Sequence, residues 1–310
     1  MNKFYMDYSE FLEQIWPGIK VQKLSVDAGH NCPNRDGTLG RGGCIYCNNS
    51  AFSPDYCHRA GSVREQIQEG KRFFARKYPQ MRYLAYFQAY TSTHAPLREL
   101  IAAYDEALED PEVVGLVIGT RPDCMPDELL EYLRKINAGR CPVIVEYGAE
   151  TMHDRTLRLI KRHHDAECVR QAVLRTAAAG IRVGLHLIMG LPGETREDML
   201  ESVRQVCALP VSTLKFHQLQ IVRDTPLANL YLSQQQDGSR QFPDIRLFTA
   251  EEYLELCVEL TQLVPPHIAI ERFTASCPPA LLIAPAWGLK NYQFTHRLHA
   301  LLFARCPIPT

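Results

Sequence analysis

The sequence predicts an α/β protein built on a parallel sheet, and two observations predict it. Short β-branched runs recur along the 310 residues with helical patterns between them, and those patterns carry helix-end signals. Strands are expected at VQKLSV (21–26), RYLAYF (82–87), VVGLVIG (113–119), PVIVEYG (142–148), IRVGLHLIMG (181–190) and TLKFHQLQIV (213–222). Most are apolar enough to be covered on both faces. Helices fall between them near 62–77, 96–109, 126–137, 165–179 and 195–208. Gly180 follows the alanine-rich RTAAAG as a C-terminal cap. Thr195 opens T-R-E-D, a capping-box pattern, ahead of Met199, Leu200, Val203 and Val206 on one helix face. Strand, helix, strand repeated in this way means parallel pairing through right-handed crossovers. Six such units make an open doubly wound sheet or a barrel, complete or partial.

After residue 230 the pattern changes. SQQQDGSRQFPD (233–244) predicts a polar surface loop or insertion. A helix then starts at Thr249, with Glu252 completing a second capping box, and Pro265-Pro266 ends it. HIAIERF (267–273) adds a strand and the last residues a short helix. The expected organisation is an N-terminal segment (1–20), a core (21–232) and a C-terminal extension packed on it (233–310).

Hydrophobic residues at 46% and charged residues at 22% allow a large core and exclude a disordered or fibrous chain. With a net charge of -1, a polyanion partner has to be held by a local basic patch. Two basic runs are available, KRFFARKYPQMR (71–82) and RTLRLIKRHH (155–164). The N-terminus lacks the apolar core of a signal peptide, and no window approaches the ~20 apolar residues of a membrane span, so a cytoplasmic protein with no membrane partner is expected. Eleven cysteines in a reducing compartment are no disulfide framework. Cys124, Cys141, Cys168, Cys207, Cys257 and Cys306 stand singly and read as small core residues. Cys57 and Cys277 make no second cluster of their own, whereas Cys32, Cys44 and Cys47 form a constellation.

That constellation lies in HNCPNRDGTLGRGGCIYCNNS (30–50), directly after the first strand, where α/β folds collect their chemistry. Polar residues follow the other strands too: Gln88, Tyr90 and Thr91; Thr120, Arg121 and Asp123; Glu146 and Glu150; GLPGET; RDTPLAN. A single site is expected at that end. A structural zinc site wants four ligands, which His30 or Cys57 would complete. Three thiolates suit a [4Fe–4S] cluster with one iron free of protein ligands, around which Gly37, Gly40, Gly42 and Gly43 let the loop wrap. Spacing leaves both metals open.

The motif C-x11-C-x-x-C with aromatic Tyr46 before its last cysteine resembles the radical S-adenosylmethionine (SAM) enzymes, and CPNRDGTLGRGGCIYCN resembles their YhcC-like branch. The resemblance runs from about residue 20 to 290 and includes FQAYTSTHAP, GTRPDCM, VEYGAET, IKRHHD, HLIMGLPGET, LKFHQLQIVRDTPLA and LLIAPAW. TRPD, GLPGE and RDTPLA are also similar to the radical SAM part of the elongator catalytic subunit, which modifies wobble uridine in tRNA. It implies a partial (β/α)6 TIM-like barrel and a [4Fe–4S] cluster held by Cys32, Cys44 and Cys47. S-adenosylmethionine chelated at the open iron is then reduced to methionine and a 5′-deoxyadenosyl radical, with a reductase or flavodoxin-like protein as electron donor. By the same resemblance Tyr46 lies by the adenine. Gln88 stands where relatives carry a glycine-glycine-glutamate motif, whose acid is absent here. Asp123 and Glu146 are candidates for polar cofactor contacts, the alternative being an internal ion pair with Arg121. Arg162 matches the arginine of an R-G-H pattern and would bind the cofactor carboxylate, although His163 replaces the glycine. Gly190 and Gly193 let the backbone approach the adenosine, or form a tight strand-to-helix turn. No catalytic residue is expected beyond the cluster. The expected function is radical SAM modification of wobble uridine in tRNA. The alternatives are a small-molecule or tetrapyrrole-like substrate, since HLIMGLPGE also resembles the coproporphyrinogen dehydrogenase branch, and a non-enzymatic zinc or iron–sulfur module.

Overall fold

β1 (Val21–Val26), β2 (Arg82–Phe87), β3 (Val113–Thr120), β4 (Val143–Glu150), β5 (Arg182–Met189) and β6 (Thr213–Gln218) lie side by side in chain order in the computed structural model, every neighbouring pair parallel. The structure describes residues 4–51, 53–59, 61–75, 80–237 and 242–305. The sixth predicted strand (213–222) divides in two. Leu219 donates to the Met189 carbonyl at 2.9 Å, after which β7 (Ile221–Val222) leaves the sheet, with Ile221 buried among Ile45, Leu191 and Leu227. β8 (Ala269–Arg272) adds a seventh parallel strand beside β6, and β9 (Leu282–Ala284) pairs antiparallel with β7.

The helices are α1 (Tyr8–Ile15), α2 (Pro33–Asp36), α3 (Asp55–Arg59), α4 (Val63–Ala75), α5 (Leu97–Ala107), α6 (Asp127–Gly139), α7 (Asp154–Leu159), α8 (Ala166–Ala178), α9 (Arg196–Cys207), α10 (Pro226–Asp237), α11 (Ala250–Leu263) and α12 (Asn291–Arg305). Those at 195 and 249 start as expected. Thr195 with Asp198, and Thr249 with Glu252, form both arms of a capping box. The predicted loop at 233–244 begins as helix instead, because Gln234, Gln235 and Gln236 are good helix formers with no breaker before Gly238; residues 238–241 lie outside the described residues. Among the described residues no helix is long and apolar enough to cross a membrane.

Period-two alternation sorts each strand between two faces. Tyr83, Ala85, Phe87, Leu116, Ile118, Val145 and Tyr147 point outward into the main core under the crossover helices. Leu84, Tyr86, Val117, Ile144 and Ala269 point inward, where Phe11, Leu12 and Trp16 of α1 and its C-terminal cap cover them. The sheet curls until its edges meet through side chains: Lys23 on β1 reaches Glu271 on β8 at 2.6 Å, while β1 and β8 share no ladder. Six strand–helix units curled but not closed make a partial (β/α)6 TIM-like barrel.

Candidate active site

The cysteine loop leaves β1 at the C-terminal rim and folds on itself through its own backbone. Cys32 is the N-cap of α2, with Pro33 in the first turn and Gly37 closing it in the left-handed region at φ 98°. Leu39 and Gly40 donate back to the Pro33 carbonyl, Gly43 to Asn34, and Cys47 to Cys44. Ile45 fastens the loop to the barrel, donating to the Ile160 carbonyl at 3.2 Å and accepting from Leu227 at 2.9 Å.

Around the buried Cys44 the protein gathers donors. Asn34 Nδ2 lies 3.3 Å from its Sγ and Arg162 Nη1 3.7 Å. Arg162 also donates to the Gly148 carbonyl at 2.6 Å and pairs with Glu150 at 3.2 Å, yet its buried Nε has no partner. A Cβ on Gly148 would lie 2.7 Å from Arg162 Nη2, so only glycine leaves that path open. The turn that delivers Arg162 is left-handed on both sides of it, at Lys161 (φ 56°) and His163 (φ 59°). Such backbone is strained for a side-chain-bearing residue. Arg35 donates to the Cys47 carbonyl at 2.8 Å and lies over the Tyr90 ring at 5.7 Å. Burial lifts the Cys47 thiol to about 11.

A cavity of about 1180 Å³ opens inside the half-barrel, with Cys32, Cys44, Cys47, Tyr46, Gln88 and Arg162 among the residues lining it. Gln88 donates to Ser25 Oγ at 2.9 Å. Of the other expected residues, Asp123, Gly190 and Gly193 lie outside this cavity. Asp123 makes a two-pronged ion pair with Arg121, at 2.9 and 2.7 Å, and lines a separate cavity of about 860 Å³. Arg121 in turn donates to the Arg162 carbonyl at 2.7 Å, which fixes the turn from behind. Glu146 touches the cavity but pairs with lysines rather than with Arg121: Lys23 and Lys215 each lie 2.6 Å away, and His186 3.0 Å. Burial alone would raise the Glu146 carboxyl; Lys215 and Lys23 outweigh it and hold it well below the carboxylate range. Gly190 and Gly193 form the β5–α9 turn at φ 89° and 78°, where a Cβ would meet Phe248 and Pro243.

The sequence reading missed the opposite wall, which carries His186, His217, Gln218, Gln220, Arg272 and Cys277. One signal was present. In TLKFHQ, Lys215 and His217 alternate with Leu214 and Phe216, placing polar side chains on the inner face of a strand whose outer face is core.

Among the described residues no three His, Cys, Asp or Glu side chains converge as ligands of a single metal ion. A cluster asks less convergence of the three cysteines, since each thiolate takes its own iron. The Radical SAM superfamily model matches residues 30–206, and a Radical_SAM C-terminal domain model matches 211–303. The chain belongs to the radical SAM superfamily. Its cofactors are a [4Fe–4S] cluster and S-adenosylmethionine, and the N–H groups aimed at the Cys44 sulfur suit a thiolate ligand. The chain is 36% identical to the uncharacterized protein YtqA of Bacillus subtilis (strain 168), over 89% of this chain and 83% of YtqA. It is 37% identical to protein YhcC of Escherichia coli (strain K12), over 87% of this chain and 83% of YhcC. It is 29% identical to a tRNA uridine(34) acetyltransferase of Dehalococcoides mccartyi (strain CBDB1), over 57% of this chain and 36% of that protein. In fold it is similar to the archaeal Methanocaldococcus infernus Elp3 with an N-terminal deletion, at TM-score 0.66 and 17% identity, over 93% of this chain and 64% of Elp3.

Proposed function

We propose that this radical SAM enzyme modifies a uridine of tRNA, at the wobble position. The observation that carries the reading is its similarity to tRNA uridine(34) acetyltransferases across 57% of the chain. The cavity agrees with it. At about 1180 Å³ it exceeds the ~300–1,000 Å³ of a pocket for one small ligand, leaving room for a substrate group beside the cofactor.

In this reading Cys32, Cys44 and Cys47 hold the cluster, and Tyr46, Gln88 and Arg162 face the bound S-adenosylmethionine. Together the cofactors supply one-electron cleavage of S-adenosylmethionine and a carbon radical that takes a hydrogen atom from substrate. The chain orients and shields: Arg162 brings positive charge to the Cys44 sulfur, and Asp123 holds Arg121 so that Arg121 holds the Arg162 turn. Glu146 keeps the inner wall in place through its lysines, and Gly190 and Gly193 shape the rim turn. A reductase or flavodoxin-like donor supplies the electron.

The basic runs contribute little free charge to tRNA binding. Lys71 pairs with Asp110 and Glu112, Arg72 with Glu69, Arg155 with Asp198, and Arg162 points inward. Arg76 and Lys77 lie outside the described residues. Arg158 and Lys161 stay exposed and are what the described part of these runs offers to phosphates.

The test is anaerobic reconstitution with iron and sulfide, followed by reductant, S-adenosylmethionine and tRNA from a strain lacking the protein. 5′-Deoxyadenosine and a uridine of changed mass in the digested tRNA are expected. Deoxyadenosine without a changed uridine would remove tRNA from the reading and leave the radical chemistry standing.

A further inference from the structure

A β-bulge on the last barrel strand places an arginine side chain where it has no partner among the described residues. Leu214 on β6 pairs with Ile270, but Lys215 pairs with Arg272, so Glu271 is an extra residue on β8. Bulges re-aim side chains. Here two consecutive residues turn to the cavity where a regular strand would send one outward. Glu271 is already committed, at 2.6 Å to Lys23 and 3.1 Å to Lys215. Among the described residues the Arg272 side chain makes no hydrogen bond or ion pair, and its Nε is buried without an acceptor. The nearby His217 has its Nε2 buried and unpartnered too. Burial and then the Arg272 charge hold His217 well below the imidazole range, so it stays neutral with one N–H to donate.

We infer that Arg272 and His217 form the seat for an oxyanion of the substrate, distinct from the cofactor-facing wall of the cavity. Arg272 is half-buried with its Nε enclosed, and a guanidinium held there without a carboxylate suits a ligand that brings the negative charge. The fully buried Arg121 and Arg162 already have theirs: Arg121 holds Asp123, and Arg162 holds Glu150. The anion is a carboxylate or a phosphate. Resting on the tRNA reading above, it is the phosphate beside the uridine that enters the cavity; a carboxylate would belong to a small organic acid.

The experiment uses the reconstituted full chain with S-adenosylmethionine bound, titrated with uridine 5′-monophosphate, uridine and succinate. The monophosphate is expected to bind at least about tenfold tighter than uridine, as charge-assisted hydrogen bonds allow. Arg272→Gln should erase that preference, Arg272→Lys should retain part of it, and the affinity for S-adenosylmethionine should stay within about twofold in both. Succinate bound in an Arg272-dependent way in preference to the monophosphate would keep the seat and sink the tRNA reading. Equal binding of monophosphate and uridine with no succinate binding, a preference that survives Arg272→Gln, or a tenfold loss of S-adenosylmethionine affinity in that variant would each overturn the inference, the last by making Arg272 part of the cofactor site.

Discussion

The inner face of the half-barrel holds two kinds of buried polar group, and they differ in whether the protein satisfies them. Nearer the N-terminal ends of the strands, Lys23, Lys215, Glu146 and Glu271 form a closed set, two charges of each sign joined by contacts of 2.6 to 3.1 Å. At the rim above, Arg162, His217, Gln220 and Arg272 each keep a buried atom with no partner among the described residues. An unpaired buried donor or acceptor costs about 1–3 kcal/mol, which a bound ligand can offset. The closed set is therefore framework, and the open set marks where ligands bind.

Substitutions in the two sets should separate activity from stability. The largest expected effect is at the rim: Cys32→Ala, Cys44→Ala or Cys47→Ala should each drop 5′-deoxyadenosine to background and lower the iron bound per chain. The partly exposed Cys32→Ala should do so while moving the unfolding free energy of the cluster-free protein by no more than about 0.5 kcal/mol. Denaturant titration of the apo-protein checks that half.

Among the closed charges the order reverses. Glu146→Gln leaves Lys23 and Lys215 short of a buried counter-charge and should cost about 3–5 kcal/mol in urea unfolding. The acid limb sharpens this. The Glu146 pKa is depressed in the folded state, so its contribution is complete above the ordinary carboxylate value of about 4.3 and drains away as pH falls through the lower folded value. Wild type should lose stability more steeply than Glu146→Gln below about pH 4.3; parallel acid limbs would show that the carboxylate is not held ionised.

Arg162→Lys keeps the charge but loses the fork that reaches Cys44, Gly148 and Glu150 together. Deoxyadenosine formation should fall ~10–100-fold, as for other residues that orient metal ligands, with cluster content retained. An unchanged rate would move Arg162 into the framework. The smallest effect is expected at the rim turn. Gly193→Ala puts a side chain at φ 78°, and should cost about 1–2 kcal/mol of stability without changing the affinity for S-adenosylmethionine. Weaker cofactor binding at full stability would instead show the turn touching the adenosine.

Much of the frame was legible because it is local or periodic. The strands at 21–26 and 82–87, the capping boxes at Thr195 and Thr249 and the strand within 267–273 follow from neighbours a few residues apart. The cysteine loop was legible because spacing and order along the chain carry it. Asp123 and Glu146 were harder, since a carboxylate at a strand end reads alike whether it meets a cofactor or a lysine. Glu146 finds Lys23 from 123 positions away and Lys215 from 69, pairs that no local window contains.

By itself the sequence determined the repeating strand–helix order, the parallel sheet and the three cysteines, because backbone preference, apolar period and motif spacing act over short stretches of chain. The tertiary structure decided which charges cancel one another and which stay open. That depends on the curl that brings β1 within reach of β8 and on the one-residue bulge that turns Arg272 inward, and both arise from strand pairing across the whole fold.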